Sequence, residues 1–163
     1  MKSALVEPFM GTSPATGSKA YSEESQQSVF PSRAFGCSDT SALIGGCLLS
    51  QEIVKTYLDA FTEGWDGYGA EPVTRETVAH AIAFASTIPS SFPMPDICAD
   101  PDGDINFEWY DSPGRVFSIS INAAGLLNYA GLFGKSSSYG VEEFAGLFPR
   151  AFIILIQRLY SNV

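Results

Sequence analysis

The stretch DINFEWYDSPGRVFSISIN, residues 104–122, decides the fold class of this chain. Apolar and polar side chains alternate in both of its halves, which is typical of β-strands that rest one face on a core. The tetrapeptide DSPG (111–114) between the halves predicts a turn. The stretch therefore predicts an antiparallel hairpin, whose core-facing side chains are Ile105, Phe107 and Trp109 in one strand and Phe117, Ile119 and Ile121 in the other.

Two further runs extend this hairpin into a sheet. DICAD (96–100) precedes it across the turn PDG, and LLNYAGLFG (126–134) follows it after NAAG. Short connections of this kind join antiparallel neighbours. We therefore predict an antiparallel β-meander of about four strands.

Helical periodicity flanks the meander on both sides. SQEIVKTYLDAFTEGW (50–65) has one apolar face at three-and-four spacing, with Ser50 as its N-cap. A second helix follows the N-cap Thr74 and ends near Ile88, because prolines come next. FPRAFIILIQRLY (148–160) predicts a terminal helix that is apolar on nearly all sides. Separate runs of helices and strands predict an α+β two-layer sandwich, with two N-terminal helices and one C-terminal helix packed on the meander.

The N-terminal segment differs in composition from the rest of the chain. Residues 1–45 are rich in Ser, Thr, Gly, Ala and Pro and lack a sustained apolar period. Such a segment buries too little apolar area to offset the entropy lost on ordering. We expect residues 1–45 to be a disordered or weakly ordered leader, and residues 46–163 to form a single α+β domain.

The charge of the chain limits the classes of partner. Its 163 residues include 9 Lys and Arg against 18 Asp and Glu, which gives a net charge of −9. This field repels nucleic acid and anionic membrane surfaces and attracts a basic protein. The sequence also lacks the apolar run of a membrane helix or a signal peptide. We expect a cytoplasmic protein with a protein partner, and neither nucleic acid nor membrane as a partner.

Metal and cofactor chemistry has little support in the sequence. Cys37, Cys47 and Cys98 share no CxxC spacing, and His80 is the one histidine. A zinc site or a histidine-dependent triad would therefore lack partners. We expect buried or inert cysteines, no metal site and no cofactor.

Two other stretches fail the motifs that they resemble. Asp100, Asp102 and Asp104 cluster, but Gly103 falls at the fourth position, and a calcium loop needs glycine at its sixth. The favoured interpretation of this acidic stretch is a hairpin turn, and the sequence does not decide whether its three aspartates bind a cation. GKSSSYG (134–140) lacks the upstream glycine of a phosphate-binding P-loop. It predicts a mobile, Ser-rich loop.

The corner WDGYGA, which starts at Trp65, allows two interpretations. In the first, Trp65 and Tyr68 stack on a ligand that Asp66 and Glu71 anchor. In the second, Gly67 and Gly69 let the chain turn, Asp66 closes the turn, and the two aromatic side chains anchor the helical layer to the sheet. The sequence leaves open whether Asp66 serves the turn or faces a partner.

Glu108 lies opposite the core-facing side chains of its predicted strand. In simple hairpin register it comes near Ser118 or Ser120 and near Asn128 or Tyr129. A carboxylate beside hydroxyls suits acid–base chemistry, but a solvated sheet face explains the same alternation. No catalytic residue is assigned, and the candidate binding residues are Trp65, Asp66, Tyr68, Glu108, Asn128 and Tyr129.

The motifs WDGYGA, FEW (107–109) and YAGLFG (129–134) resemble those of a group of small uncharacterised bacterial proteins from accessory or mobile genomic regions. Members of this group share the WDGYGA corner, an LEW-like strand and a YAGLFG-like strand. The resemblance covers about residues 47–160, and Phe107 stands where leucine is expected. It implies a single domain and an accessory role, and it implies no activity and no catalytic residues.

Three functions follow from these observations. The first is a non-enzymatic protein-binding accessory protein of an antitoxin-like, immunity or anti-defence kind. The second is a small-ligand binder or enzyme with a pocket near Trp65, Asp66, Tyr68 and Glu108. The third is a self-assembling structural protein, in which the terminal helix pairs between copies through Phe152, Ile156 and Tyr160.

Overall fold

The hairpin predicted from residues 104–122 lies within a larger antiparallel sheet. The computed structural model of the protein describes residues 40–161. The five strands pair in chain order and are β1 (Asp96–Ala99), β2 (Ile105–Ser112), β3 (Arg115–Ile121), β4 (Leu126–Phe133) and β5 (Ser136–Glu143). The helices are α1 (Thr40–Ala60), α2 (Arg75–Ala85) and α3 (Arg150–Tyr160). The α+β class with an antiparallel meander is confirmed.

The fifth strand corrects the prediction of about four strands. β5 covers most of the GKSSSYG stretch and pairs with β4 from Ser136 opposite Phe133 to Glu143 opposite Leu126. The turn before it uses Gly134 at a φ of 73°, which glycine adopts at little cost. The apolar pattern of the sequence does not predict β5, because this Ser-rich edge strand buries little apolar surface and its apolar residues do not alternate.

The register of the sheet places the core on one face. Phe107, Ile119 and Tyr129 lie side by side across β2, β3 and β4 on this face. Phe107 and Ile119 are fully buried and belong to the cluster that the three helices complete. The alternate residues of each strand, such as Glu108 and Ser118, project from the other face.

α1 begins earlier than the sequence predicts. It starts at Thr40, and Ser50 lies inside it, where its Oγ donates to the carbonyl oxygen of Gly46 (2.7 Å) instead of capping the helix. The sequence did not predict the part of α1 before Ser50, because Gly45 and Gly46 have low helix propensity. Residues 1–39 of the expected leader lie outside the described residues. Among residues 40–161, no helix has the length and apolar character needed to cross a membrane.

α2 begins as predicted and contributes the central aromatic ring of the core. Thr74 Oγ1 accepts a hydrogen bond from the Thr77 N–H (3.1 Å), which confirms the predicted N-cap. The ring of Phe84 is fully buried, 5.2 Å from that of Phe107 and 5.5 Å from that of Phe148. Phe84 therefore joins α2 to both the sheet and the segment before α3.

α3 buries only one face, although its sequence is apolar on nearly all sides. Phe152, Ile156 and Leu159 are fully buried against the sheet, whereas Ile154 is 65% exposed. Phe152 and Ile156 therefore have no free surface with which to contact a second copy of the chain. Of the three side chains named for pairing between copies, Phe152, Ile156 and Tyr160, only Tyr160 keeps partial exposure.

Arg115 of β3 fixes the C-terminal end of α3. Its guanidinium donates to the carbonyl oxygens of Arg158 (2.9 Å), Leu159 (3.1 Å) and Ser161 (3.0 Å). It also pairs with Asp111 at 3.1 Å. The last carbonyl groups of a helix lack intrahelical partners and carry partial negative charge, so this cation stabilises the end of α3 and ties it to the sheet.

Candidate functional site

The corner between α1 and α2 is closed by the side chain of Asp66. Asp66 Oδ1 accepts hydrogen bonds from the backbone N–H groups of Tyr68 (2.8 Å) and Ala70 (3.0 Å). These bonds, that of Tyr68 foremost, lower the pKa of the Asp66 carboxyl, because they stabilise its charged form. Gly67 and Gly69 adopt φ values of 80° and 97°, as the turn interpretation predicts. Asp66 therefore serves the turn.

The corner rests on the turn between β1 and β2. The Glu71 N–H donates to the carbonyl oxygen of Pro101 (2.8 Å), and Trp65 Nε1 donates to that of Glu71 (3.1 Å). Gly103 has a φ of 80°, and a Cβ at this position would lie 2.9 Å from the carbonyl oxygen of Pro72. The two turns are therefore in direct backbone contact, and only glycine fits between them.

The two aromatic side chains of the corner have different environments. Trp65 is partly buried and packs against the core, as expected of an anchor between the helical layer and the sheet. Tyr68 is 96% exposed, so the expectation that it also anchors this layer is wrong. The reason is local: Tyr68 lies within the turn that Asp66 closes, and its side chain projects outward.

Glu108 lies on the sheet face opposite the core. Its direct neighbour on β3 is Ser118, which confirms one of the predicted pairs. Asn128 lies on the same face of β4 and is exposed. Tyr129, by contrast, projects from the core face, where it packs against the aromatic cluster. Tyr129 therefore cannot contribute to a polar patch around Glu108.

The cavity that Trp65 borders does not include Glu108. Trp65 borders a shallow cavity of about 280 Å³ beside Ile97, Cys98 and Ala99 of β1. Glu108 does not line it, because Trp65 packs on the core side of the sheet and Glu108 projects from the other side. Glu108 therefore lies outside the site that Trp65 borders.

The cysteines in the described residues are exposed, so of the two expectations, buried or inert, burial is wrong for them. Cys47 lies on α1 and Cys98 on β1. Desolvation, followed by the negative charge of Asp100, raises the pKa of the Cys98 thiol. A thiol with a raised pKa stays protonated at neutral pH and is a weak nucleophile.

The acidic stretch after β1 forms the predicted hairpin turn. The Asp100 N–H donates to the Asp104 carbonyl oxygen (2.9 Å), and Asp100 Oδ2 accepts from Ser120 Oγ (2.6 Å). Desolvation and the charges of Asp100, Asp102 and Glu71 raise the pKa of the Asp104 carboxyl. In the part of the chain that the structure describes, no three or more His, Cys, Asp or Glu side chains are grouped to hold a metal ion.

The C-terminal end of α1 and the residue that follows it present an exposed apolar cluster, which we call the α1 apolar surface and define by Val54, Leu58 and Phe61. Leu58 is 60% exposed and Phe61 53% exposed, whereas Ile53 in the same helix is fully buried. Val54 and Leu58 are four residues apart and lie on one side of α1, and Phe61 directly follows Ala60, the last residue of the helix. The sequence predicts one apolar face for this helix, but its apolar residues form two. One face, which includes Ile53, contacts the core, and the other, which includes Val54 and Leu58, is exposed.

No family model, curated protein or solved structure matches this chain. The assignment of function therefore rests on its geometry and chemistry.

Two features of α1 were not predicted from the sequence: the exposure of the α1 apolar surface and an apolar groove at the other end of the helix. An apolar groove of about 310 Å³ lies at its N-terminal half, bordered by Ile44 and Leu48 on one side and by Phe92 and Met94 on the other. The signal was present in the sequence, since the apolar residues of α1 occupy more of its circumference than one core-facing stripe requires.

Proposed function

We propose that this protein is a non-enzymatic protein-binding protein that engages its partner through the α1 apolar surface. The observation that carries this proposal is the exposure of Leu58 near the end of α1 and of Phe61 directly after it, although the opposite side of α1 is already buried in the core. Water contact with large apolar side chains is unfavourable, and contiguous exposed apolar side chains commonly mark protein interaction sites.

The charge around this surface points to a basic partner. Residues 40–71 contain one basic side chain, Lys55, and five acidic ones, Glu52, Asp59, Glu63, Asp66 and Glu71. An apolar centre with acidic surroundings complements a partner that presents apolar side chains among Lys or Arg. Binding should then slow and weaken as the salt concentration rises.

The biological setting that we propose is an accessory one. The WDGYGA corner and the FEW and YAGLFG strands resemble small bacterial proteins of mobile or accessory regions, and this resemblance supports an accessory role. The acidic charge of the chain and the exposed apolar surface favour an antitoxin-like, immunity or anti-defence protein as its kind. Such proteins act by occupying a protein target, for which an acidic, partly apolar helix face is suited.

The proposal is tested by co-purification with candidate partners. The tagged full-length chain is co-expressed with the product of each adjacent gene, as wild type and as the variants Leu58→Glu and Phe61→Glu. Ile154→Glu on α3 is the matched control, because it places the same charge at an equally exposed apolar position. We expect wild type and control to retain one partner, and both α1 variants to retain at least about tenfold less of it, a loss typical of an interface anchor.

Thermal unfolding of each variant separates a binding defect from a folding defect. All three substituted positions are exposed, so the melting temperatures should lie close to that of wild type. If a partner co-purifies and the two α1 variants retain it as well as the control does, the α1 apolar surface is not the binding site.

A further inference from the structure

β5 leaves one edge of the sheet without a partner strand in the described residues. The strand order is β1-β2-β3-β4-β5, so β5 hydrogen-bonds to β4 on one side only. Its eight residues therefore present a row of main-chain N–H and C=O groups on the other side. An edge of this length is a template for a further strand.

From Ser136 to Val141, β5 lacks the usual protection of an exposed edge. Natural edge strands carry prolines, inward-pointing charges or bulges that prevent pairing. From Ser136 to Val141 the strand has no proline and no charged side chain, and its pairing with β4 is regular. Tyr139 is 81% exposed and Val141 60% exposed. The opposite edge differs, because β1 is short and α1 packs beside it.

The geometry of the turn between β4 and β5 determines which residues of β5 direct their main-chain N–H and C=O groups to the free edge. Gly134 and Lys135 form a two-residue connection between Phe133 and Ser136, which are register partners. In such a hairpin the residues that flank the turn hydrogen-bond to each other, and alternate residues direct their amides to opposite sides. Main-chain groups of Ser137, Tyr139, Val141 and Glu143 are therefore the ones directed to the free edge.

We propose that β5 pairs antiparallel with β5 of a second copy of this chain, about a twofold axis at Tyr139. This register places Tyr139 opposite its equivalent in the second copy and Lys135 opposite Glu143, once on each side of the axis. A shift of two residues in either direction separates Lys135 from Glu143 and loses both charge pairs. The contact is isologous and closes at two copies, which makes one continuous ten-strand sheet.

This pairing is independent of the proposed partner binding, because it uses the sheet edge and leaves the α1 apolar surface free. A polar, Ser-rich strand suits it, since main-chain hydrogen bonds supply the affinity and the terminal charges select the register. Tyr139 adds a cross-strand aromatic contact at the centre of the pair.

Sedimentation of the full-length chain over a concentration series tests the proposal. Wild type should show a reversible equilibrium between the 17.5 kDa chain and a species of twice that mass. Tyr139→Pro removes a central N–H of the free edge and should abolish the heavier species, while edge strands tolerate proline and the fold persists. Circular dichroism and melting temperature verify that the fold persists.

A charge exchange tests the register. Lys135→Glu and Glu143→Lys each place two like charges opposite one another on both sides of the twofold axis. Each single variant should therefore raise the dissociation constant of the dimer about tenfold or more. The double variant, which exchanges the two charges, should restore the wild-type dissociation constant. Lys55→Glu on α1 is the matched control and should leave the dissociation constant of the dimer unchanged. A wild type that remains a monomer up to its solubility limit, a Tyr139→Pro variant that still dimerises, or single exchanges without effect would overturn the proposal.

Discussion

The contact between the WDGYGA corner and the β1–β2 turn should make Gly103→Ala unusually costly. A Cβ at Gly103 lies 2.9 Å from the Pro72 carbonyl oxygen, and the residue has a φ of 80°. The left-handed conformation costs a non-glycine residue roughly 1–2 kcal/mol, and forcing a methyl group into a packed contact adds about 1–3 kcal/mol. We expect a total loss of about 2–5 kcal/mol in the free energy of unfolding.

Gly114→Ala is the matched control for this substitution. Gly114 has a φ of 77°, and nothing lies within 4 Å of an added Cβ, so it should cost only the conformational part, roughly 1–2 kcal/mol. Urea denaturation measures both variants. A difference of about 2 kcal/mol corresponds to about 1 M in the urea midpoint. Equal losses in the two variants would refute the direct contact between corner and turn.

Three further substitutions test other parts of the structure. Arg115→Met removes the cation that bonds the end of α3 and should lower the free energy of unfolding, measured in urea, by about 2 kcal/mol. Asp104→Asn should raise the melting temperature at pH 7, since the folded state raises the pKa of Asp104 and so disfavours its charge; the gain should vanish in acid, and Glu63→Gln, which removes an exposed carboxylate away from Asp104, serves as its control. Asp66→Ala should lower the melting temperature at neutral pH. The pKa of Asp66 is lowered by folding, so this contribution is complete above the ordinary aspartate pKa and is lost as the pH falls through the folded value. A pH-independent difference between Asp66→Ala and wild type would contradict the role of its charge.

The parts of the fold with regular periodicity were predictable from sequence. β2 and β3 alternate because one face is buried, and Phe117, Ile119 and Ile121 all face the core as the pattern predicts. Thr74 signals the start of α2 because a hydroxyl at this position satisfies a free N–H group. In these segments the local chemistry and the tertiary packing favour the same structure.

The remainder depends on packing that no local pattern specifies. LLNYAGLF does not alternate cleanly, so only the register with β3 decides that Asn128 faces outward and Tyr129 faces the core. Phe84 becomes central only because three elements meet around it. Tyr68 is exposed because it lies in the turn where Asp66 accepts hydrogen bonds from the backbone N–H groups of Tyr68 itself and of Ala70, which composition does not reveal.

Site-specific photo-crosslinking tests the proposed binding surface most directly. A photoreactive amino acid is placed at position 58 in the α1 apolar surface or at position 154 on α3, both exposed, and the tagged full-length chain is irradiated in cells that express the adjacent genes. The proposed function predicts a crosslink from position 58, and not from position 154, to the same protein that co-purifies with wild type. A crosslink to that protein from position 154 alone, or none from position 58, would contradict it.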